Sequence, residues 1–297
     1  MPASRPILVA TTALAPTVWG TTYIVTTEFL PPDRPLLTAL LRALPAGLLL
    51  IAMTRVLPRG DWWWRAPVLG ALNIGMFFPL LFLSAYRLPG GVAAVLGAIQ
   101  PLLVAGLTRT ALRENVPIHR VLAGIVATVG VSLVVLRANA ALDVIGIIAG
   151  IVAATGMATG LVLTRSWGKP SGVGDLALTG WQLTAGGLMI APVAFAVEGM
   201  PPALDAAAVG GYLWLGLVGT AAAYTLWFRG ISRLPAPQVS LLGTLSPLTA
   251  AVLGWLFLDQ SLSPLQLIGF ALALGATVAG QLPPPRRTRV RASTQSV

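Results

Sequence analysis

No cysteine occurs in the chain and His119 is its only histidine, which removes disulfides, thiolate or histidine-rich metal centres, and serine–histidine triads. Charge is scarce as well. Only 9% of residues are Asp, Glu, Lys or Arg, against 56% hydrophobic, where soluble proteins carry roughly 25% charged residues. An ordinary soluble domain is excluded. Acidic residues number nine in 297, and none falls in the interior of an apolar stretch, so the carboxylate relay common in proton-coupled carriers is missing. The span interiors offer Ser, Thr and Tyr but no His, Cys or carboxylate, so a hydrolytic mechanism has little to work with. We expect no catalytic residue, no metal and no cofactor.

What is present is a succession of apolar runs. A bilayer core takes about 20 helical residues, and ten stretches qualify: 7–27, 35–53, 66–86, 90–109, 117–136, 143–164, 176–197, 207–228, 236–258 and 263–282. Turn formers separate them, as in PPDRP at 31–35, SWGKPSGVG at 166–174 and EGMPPALD at 198–205. The first run has no small-residue cleavage site and nine more follow, so it is expected to be an uncleaved span.

A net charge of +10 suits nucleic acid in general, but the placement here suits membrane topology. Basic residues resist translocation and mark the cytoplasmic side. With the N-terminus inside, the inner segments hold fifteen of the nineteen Lys and Arg residues, and the outer loops only Arg34, Arg87 and Arg137. Both termini are therefore expected in the cytoplasm, in a multi-pass protein of the cytoplasmic membrane. The partners expected are the lipid bilayer and a small-molecule substrate, not nucleic acid. A homodimer is left open. The WWW run at 62–64, beside Arg59 and Arg65, reads as a headgroup-level anchor more readily than as a stacking platform, and the basic tail at 285–297 as a phospholipid-facing segment.

The chain repeats itself. Sliding it by 146 lays residues 69–112 over 215–258 without a gap, pairing Leu69 with Leu215, Arg87 with Arg233, Pro89 with Pro235, Gly97 with Gly243 and Pro101 with Pro247. LRALPAGLLL at 41–50 lies over WQLTAGGLMI at 181–190. The expected fold is an all-α integral membrane protein of ten helices in two inverted five-helix repeats, at 1–137 and 138–284. An odd number of spans per unit turns the second copy upside down. Inverted repeats are the architecture of many secondary transporters, whose substrates bind near the midplane.

Candidate site residues follow from polarity at depth. Pro101 and Pro247 fall midway along the fourth and ninth spans, where each removes a hydrogen bond to the carbonyl four residues earlier. Those carbonyls belong to Gly97 and Gly243, with Gln100 and Ser246 beside the prolines. A kink patched by a neighbouring hydroxyl is the other reading. Arg42 lies about 10 Å inside the second span at 1.5 Å per residue, where an arginine faces the bundle interior or snorkels to the headgroups. Its repeat partner is Gln182. Trp19, Thr22 and Tyr23 on the first span, Asn73 on the third, Trp181 on the seventh and Tyr224 on the eighth complete the substrate-binding candidates, each also able to serve as interhelical glue. Gly146, Gly150, Gly156 and Gly160 predict close helix packing on the sixth span. Glu114 is expected to pair with Arg113 or Arg120.

These residues resemble the EamA-type branch of the drug/metabolite transporter superfamily: the Trp19–Gly20 pair, the arginine of span two, the prolines of spans four and nine, and Glu114 after span four. More narrowly, LAPTVWGTTYIVTTEFLPP, LLRALPAGLLL, AYRLPGGVAA and WQLTAGG resemble the PecM-like subgroup of exporters of the pigment indigoidine. The resemblance implies an inner-membrane exporter of small metabolites, often amino-acid derivatives, working by alternating access. Gln260 stands where the family often has a second Glu. Two other readings remain at this point. A carrier of phosphorylated or nucleotide sugars would want several intramembrane cations, and a membrane-embedded enzyme would want a placed acid, base or nucleophile.

Overall fold

The computed structural model describes residues 4–88, 92–135, 143–200, 203–258 and 261–283. Pro89, Arg137, Asp259, Gln260 and the tail at 285–297 lie outside them. Every element among the described residues is helical, as lipid requires of a chain that must pair its own backbone groups. In order these are α1 (Arg5–Phe29), α2 (Pro35–Thr54), α3 (Trp62–Gly70), a π segment (Ala71–Gly75), α4 (Phe77–Arg87), α5 (Val92–Ala98), α6 (Gln100–Ala111) and α7 (Ile118–Val135). There follow α8 (Val144–Trp167), α9 (Asp175–Glu198), α10 (Ala206–Leu213), a second π segment (Trp214–Ala222), α11 (Ala223–Arg233), α12 (Ala236–Leu242), α13 (Leu245–Phe257) and α14 (Pro264–Gln281).

Among the described residues nine helical stretches are long and apolar enough to cross a membrane, and Val95–Ala111 is a shorter apolar helix. That shorter helix sits where the fourth span was expected, which is interrupted at Ile99, ahead of Pro101. The ninth is interrupted at Gly243 and Thr244, ahead of Pro247. A threonine from a neighbouring helix patches each break. Thr128 of α7 donates to the Ala98 carbonyl at 2.9 Å, and Thr277 of α14 meets Thr244, which itself donates to the Leu241 carbonyl at 2.8 Å.

Glycines set the helix crossings. A Cβ on Gly130 would come within 2.6 Å of the Gly269 carbonyl oxygen, and one on Gly269 within 2.6 Å of the Gly130 oxygen. Gln266 Nε2 donates to the Val134 carbonyl at 2.9 Å, so α7 and α14 run antiparallel with their glycines in mutual contact. In α2 and α9, Gly47 abuts Thr184, Leu44 abuts Gly187 and Leu50 abuts Gly180. As one number rises the other falls, so this pair is antiparallel too. On α8, Gly146 seats Leu88, Gly150 seats Ser84 and Leu96, and Gly160 seats Asn73, whereas Gly156 meets only the Leu72 carbonyl at 3.9 Å.

Polar ties hold the ends. The Glu198 carboxylate accepts from the N–H groups of Leu36 and Leu37 at 2.7 and 2.8 Å, capping α2 from the end of α9, while the Arg34 guanidinium donates to the Glu198 and Met200 carbonyls. At the opposite end Asp175 pairs with Lys169 at 2.8 Å and Arg233 at 3.3 Å. Glu114 departs from expectation: it makes no ion pair among the described residues. The exposed turn after α6 leaves its carboxylate to solvent. The tryptophan run divides. Trp62 is buried with its ring 6.0 Å from Trp181, while Trp63 and Trp64 are exposed beside Arg65, whose guanidinium lies 5.5 Å from the Trp64 ring.

Candidate functional site

One cavity of about 310 Å³ lies between the halves, its wall drawn from Trp19 to Pro101 on one side and Ala154 to Pro247 on the other. Helical spacing explains the lining. Trp19, Thr22, Tyr23, Thr26 and Thr27 occupy one face of α1, and Phe77, Phe78, Leu81 and Phe82 one face of α4, since residues three and four apart share a face. The interrupted helices contribute Gly97, Gln100 and Pro101 from one half and Ser240, Gly243, Thr244, Ser246 and Pro247 from the other. Tyr23 at the mouth is 55% exposed, whereas Tyr224 and Trp227 at the base are buried. Trp19 packs on both, its ring centroid 4.8 Å from Tyr224 and 5.2 Å from Trp227. Below this aromatic floor every residue of α12 is buried. Exposure of the lining thus falls from the Tyr23 and Thr27 end to the α12 end.

Among the described residues Arg42, 3% exposed, is the only charged side chain in the wall. Its Nε donates to Thr220 Oγ1 at 3.0 Å and its Nη2 to the Gly219 carbonyl at 3.1 Å, and Trp19 Nε1 donates to the same carbonyl at 3.0 Å. The π segment explains why Gly219 attracts two donors. The Ala223 N–H reaches back to the carbonyls of Val218 and Thr220 and bypasses the one between them, and a buried carbonyl left unpaired costs ~1–3 kcal/mol. Arg42 therefore does not snorkel to the headgroups. Its Nη1 makes no hydrogen bond among the described residues, and its guanidinium carbon lies 5.2 Å from the Phe78 ring centroid. Gln100 also lines the wall, and its Nε2 is buried without a partner among the described residues.

Of the residues proposed from sequence, Trp19, Thr22, Tyr23, Arg42, Gly97, Gln100, Tyr224, Gly243, Ser246, Pro101 and Pro247 come together on this wall. Asn73, Trp181 and Gln182 do not. Asn73 Nδ2 donates to Gln182 Oε1 at 2.9 Å inside the protein, and Trp181 Nε1 donates to the Val56 carbonyl at 2.7 Å. The Gly243 carbonyl is not a free acceptor either, because the chain tightens and the Ser246 N–H bonds to it at 3.1 Å. The sequence reading missed the phenylalanines of α4, Trp227, Ser240 and Thr244.

The two buried polar contacts match across the repeat. Arg42 on α2 meets Gly219 on the second π segment, and Gln182 on α9 meets Asn73 on the first. Gly219 is Asn73 shifted by 146, and Gln182 overlays Arg42.

The model of the EamA-like transporter family matches this chain twice, at residues 6–136 and 144–279. Protein PecM of Dickeya dadantii (strain 3937) is 48% identical over 267 residues, 90% of either chain. The uncharacterized transporter YwfM of Bacillus subtilis (strain 168) is 27% identical over 91% of this chain and 92% of its own. A solved crystal structure, 18% identical, superposes with a TM-score of 0.78 over 96% of this chain and 100% of that one, a likeness in fold.

Proposed function

This chain belongs to the EamA-like transporter family, and from that premise we propose that it is a secondary carrier exporting small metabolites across the cytoplasmic membrane by alternating access. The single observation that carries the reading is the aromatic cavity at the seam of the halves, with one buried arginine and one exposed end. The machine is two inverted five-helix units, 1–137 and 138–284, and both termini lie in the cytoplasm. Antiparallel contact between the matched pairs α2 with α9 and α7 with α14 supports the inversion, because equivalent helices of parallel copies would run the same way. In this orientation the exposed end faces outward and the tyrosine–tryptophan floor faces the cytoplasm.

At about 310 Å³ the cavity is at the small end of the roughly 300–1,000 Å³ of ligand sites. Its chemistry suits a flat or aromatic-sized solute bearing an acceptor such as a carbonyl or carboxylate. Amino-acid-derived compounds and the pigment of the PecM-like resemblance both fit that description. Arg42 Nη1 is the donor that receives the acceptor, and the rings of Trp19, Phe78 and Tyr224 clasp the plane. A single guanidinium disfavours phosphorylated sugars, whose charge calls for several cations.

Accumulation of amino-acid-derived metabolites, indigoidine among them, compared between cells with and without the gene tests the proposal. Export should depend on the gene and fall to background in Arg42→Ala at equal membrane abundance. Export by Arg42→Ala at the normal rate would remove Arg42 from the site, and gene-independent accumulation of every compound would sink the exporter reading.

A further inference from the structure

A second polar cluster lies outside the cavity wall, at the end of the molecule where α1 and α7 begin and α14 finishes. Arg120, in the first turn of α7, is 8% exposed, and its Nε is sealed from water. Its side chain makes no hydrogen bond and no ion pair among the described residues. The first turns of α7 adjoin the end of α14 and α12, since a Cβ on Gly280 would meet both Ala123 and Leu241, and Arg5, at the start of α1, donates from Nη2 to Gln238 Oε1 on α12 at 3.2 Å. Gln238 is fully buried, its Nε2 without a partner, and its carbonyl accepts from Gln281 Nε2 at 3.2 Å.

Two guanidinium groups and an idle amide donor thus converge with no carboxylate among them. A buried cation without a counter-charge is costly, and burying it beside another cation is more so. The C-terminal carbonyls of α14 are the nearest internal remedy, yet Arg120 donates to none of the described ones. Residues 284–297 hold four arginines and no Asp or Glu, so they supply no carboxylate side chain. The long helices α1 and α7 both begin here, and helix N-termini favour anions. The repeat shows that the arginine is not required by the fold. Shifting by 146 lays Arg120 on Gln266, which binds a backbone carbonyl on α7.

We propose that Arg120, Arg5 and Gln238 form a binding site for a phosphate oxyanion, supplied by the headgroup of an anionic phospholipid. The site sits at a helix end, where headgroups reach, and basic pockets between membrane helices bind such lipids. The proposal is independent of the exporter reading.

The purified chain in neutral detergent tests it, with native mass spectrometry and thermal unfolding as readouts. Phosphatidylglycerol, phosphatidylcholine and inorganic phosphate are added separately to the wild type and to Arg120→Gln, Arg5→Gln and Arg109→Gln. Phosphatidylglycerol should stay bound to the wild type and raise its unfolding temperature, and phosphatidylcholine should not. Arg120→Gln should weaken retention about tenfold, on the order of one lost charge-assisted contact. Arg5→Gln should weaken it as well, and Arg109→Gln, whose arginine is hydrogen-bonded to Asn115, should behave as wild type. A shift with inorganic phosphate alone, lost in Arg120→Gln, supports the oxyanion site with a soluble source. Equal phosphatidylglycerol retention by wild type, Arg120→Gln and Arg5→Gln overturns the proposal, as does no response to either anion. If Arg120→Gln does not fold, Arg5→Gln, whose side chain is exposed, decides.

Discussion

Arg42 commits Nε and Nη2 to Thr220 and Gly219 and keeps Nη1 free, a division that only a planar, forked cation can make. Arg42→Lys should therefore fail to restore export, while Thr220→Val, which removes one anchor and leaves the charge, should be milder. Loss of a hydrogen bond to a charged group costs ~1.5–3 kcal/mol, so Thr220→Val should raise the substrate concentration for half-maximal export in vesicles roughly tenfold, at unchanged abundance. The matching neutral pair carries stability instead. Asn73→Leu leaves Gln182 buried without its partner and should lower stability by ~1–3 kcal/mol. The double variant Asn73→Leu/Gln182→Leu should lose less than the sum of the singles, which thermal unfolding in detergent measures. Arg42 and its neighbours were legible because a charge at depth has few explanations. Asn73, Trp181 and Gln182 lie off the cavity wall, a placement the sequence could not give, because a neutral polar side chain in lipid can equally be a ligand group or interhelical glue.

The helices were legible as apolar runs and their interruptions as prolines, but the two π segments carry no sequence signature. Trp214–Ala222 holds neither proline nor an intramembrane charge, and its effect, a bypassed Gly219 carbonyl, emerges only from hydrogen bonding. The aromatic wall was hidden for a related reason. In a soluble helix a functional face stands out against a polar one, whereas on α4 Phe77, Phe78 and Phe82 look like any lipid-facing residues. Crossing elements also make firm predictions. Gly130→Leu drives a side chain into the backbone of α14 at Gly269 and Ala273, where overpacking costs ~1–3 kcal/mol or more. It should lower the unfolding temperature, whereas Gly106→Leu, whose Cβ meets nothing within 4 Å, should not. Pro101→Ala returns an N–H to the helix beside Gly97. It should leave the protein folded and slow export, since the interruption shapes the cavity wall.

Across the whole molecule the repeat was the most legible feature, because duplication leaves paired glycines and prolines at a constant offset whatever the fold. The pairing of halves was not legible. Nothing in one sequence says that α2 seeks α9 or that α7 seeks α14, and the mutual fit of Gly130 with Gly269 requires coordinates. The account rests on the halves being threaded through the bilayer in opposite senses with the cavity at their seam. The chain's lack of cysteine allows a direct test by single-site labelling. Arg87→Cys and Arg233→Cys, at repeat-equivalent positions, are each exposed to a membrane-impermeant thiol reagent in intact cells and again after permeabilisation. Opposite threading puts position 87 within reach of the reagent in intact cells and position 233 only after permeabilisation. Labelling of both from the same side would contradict it.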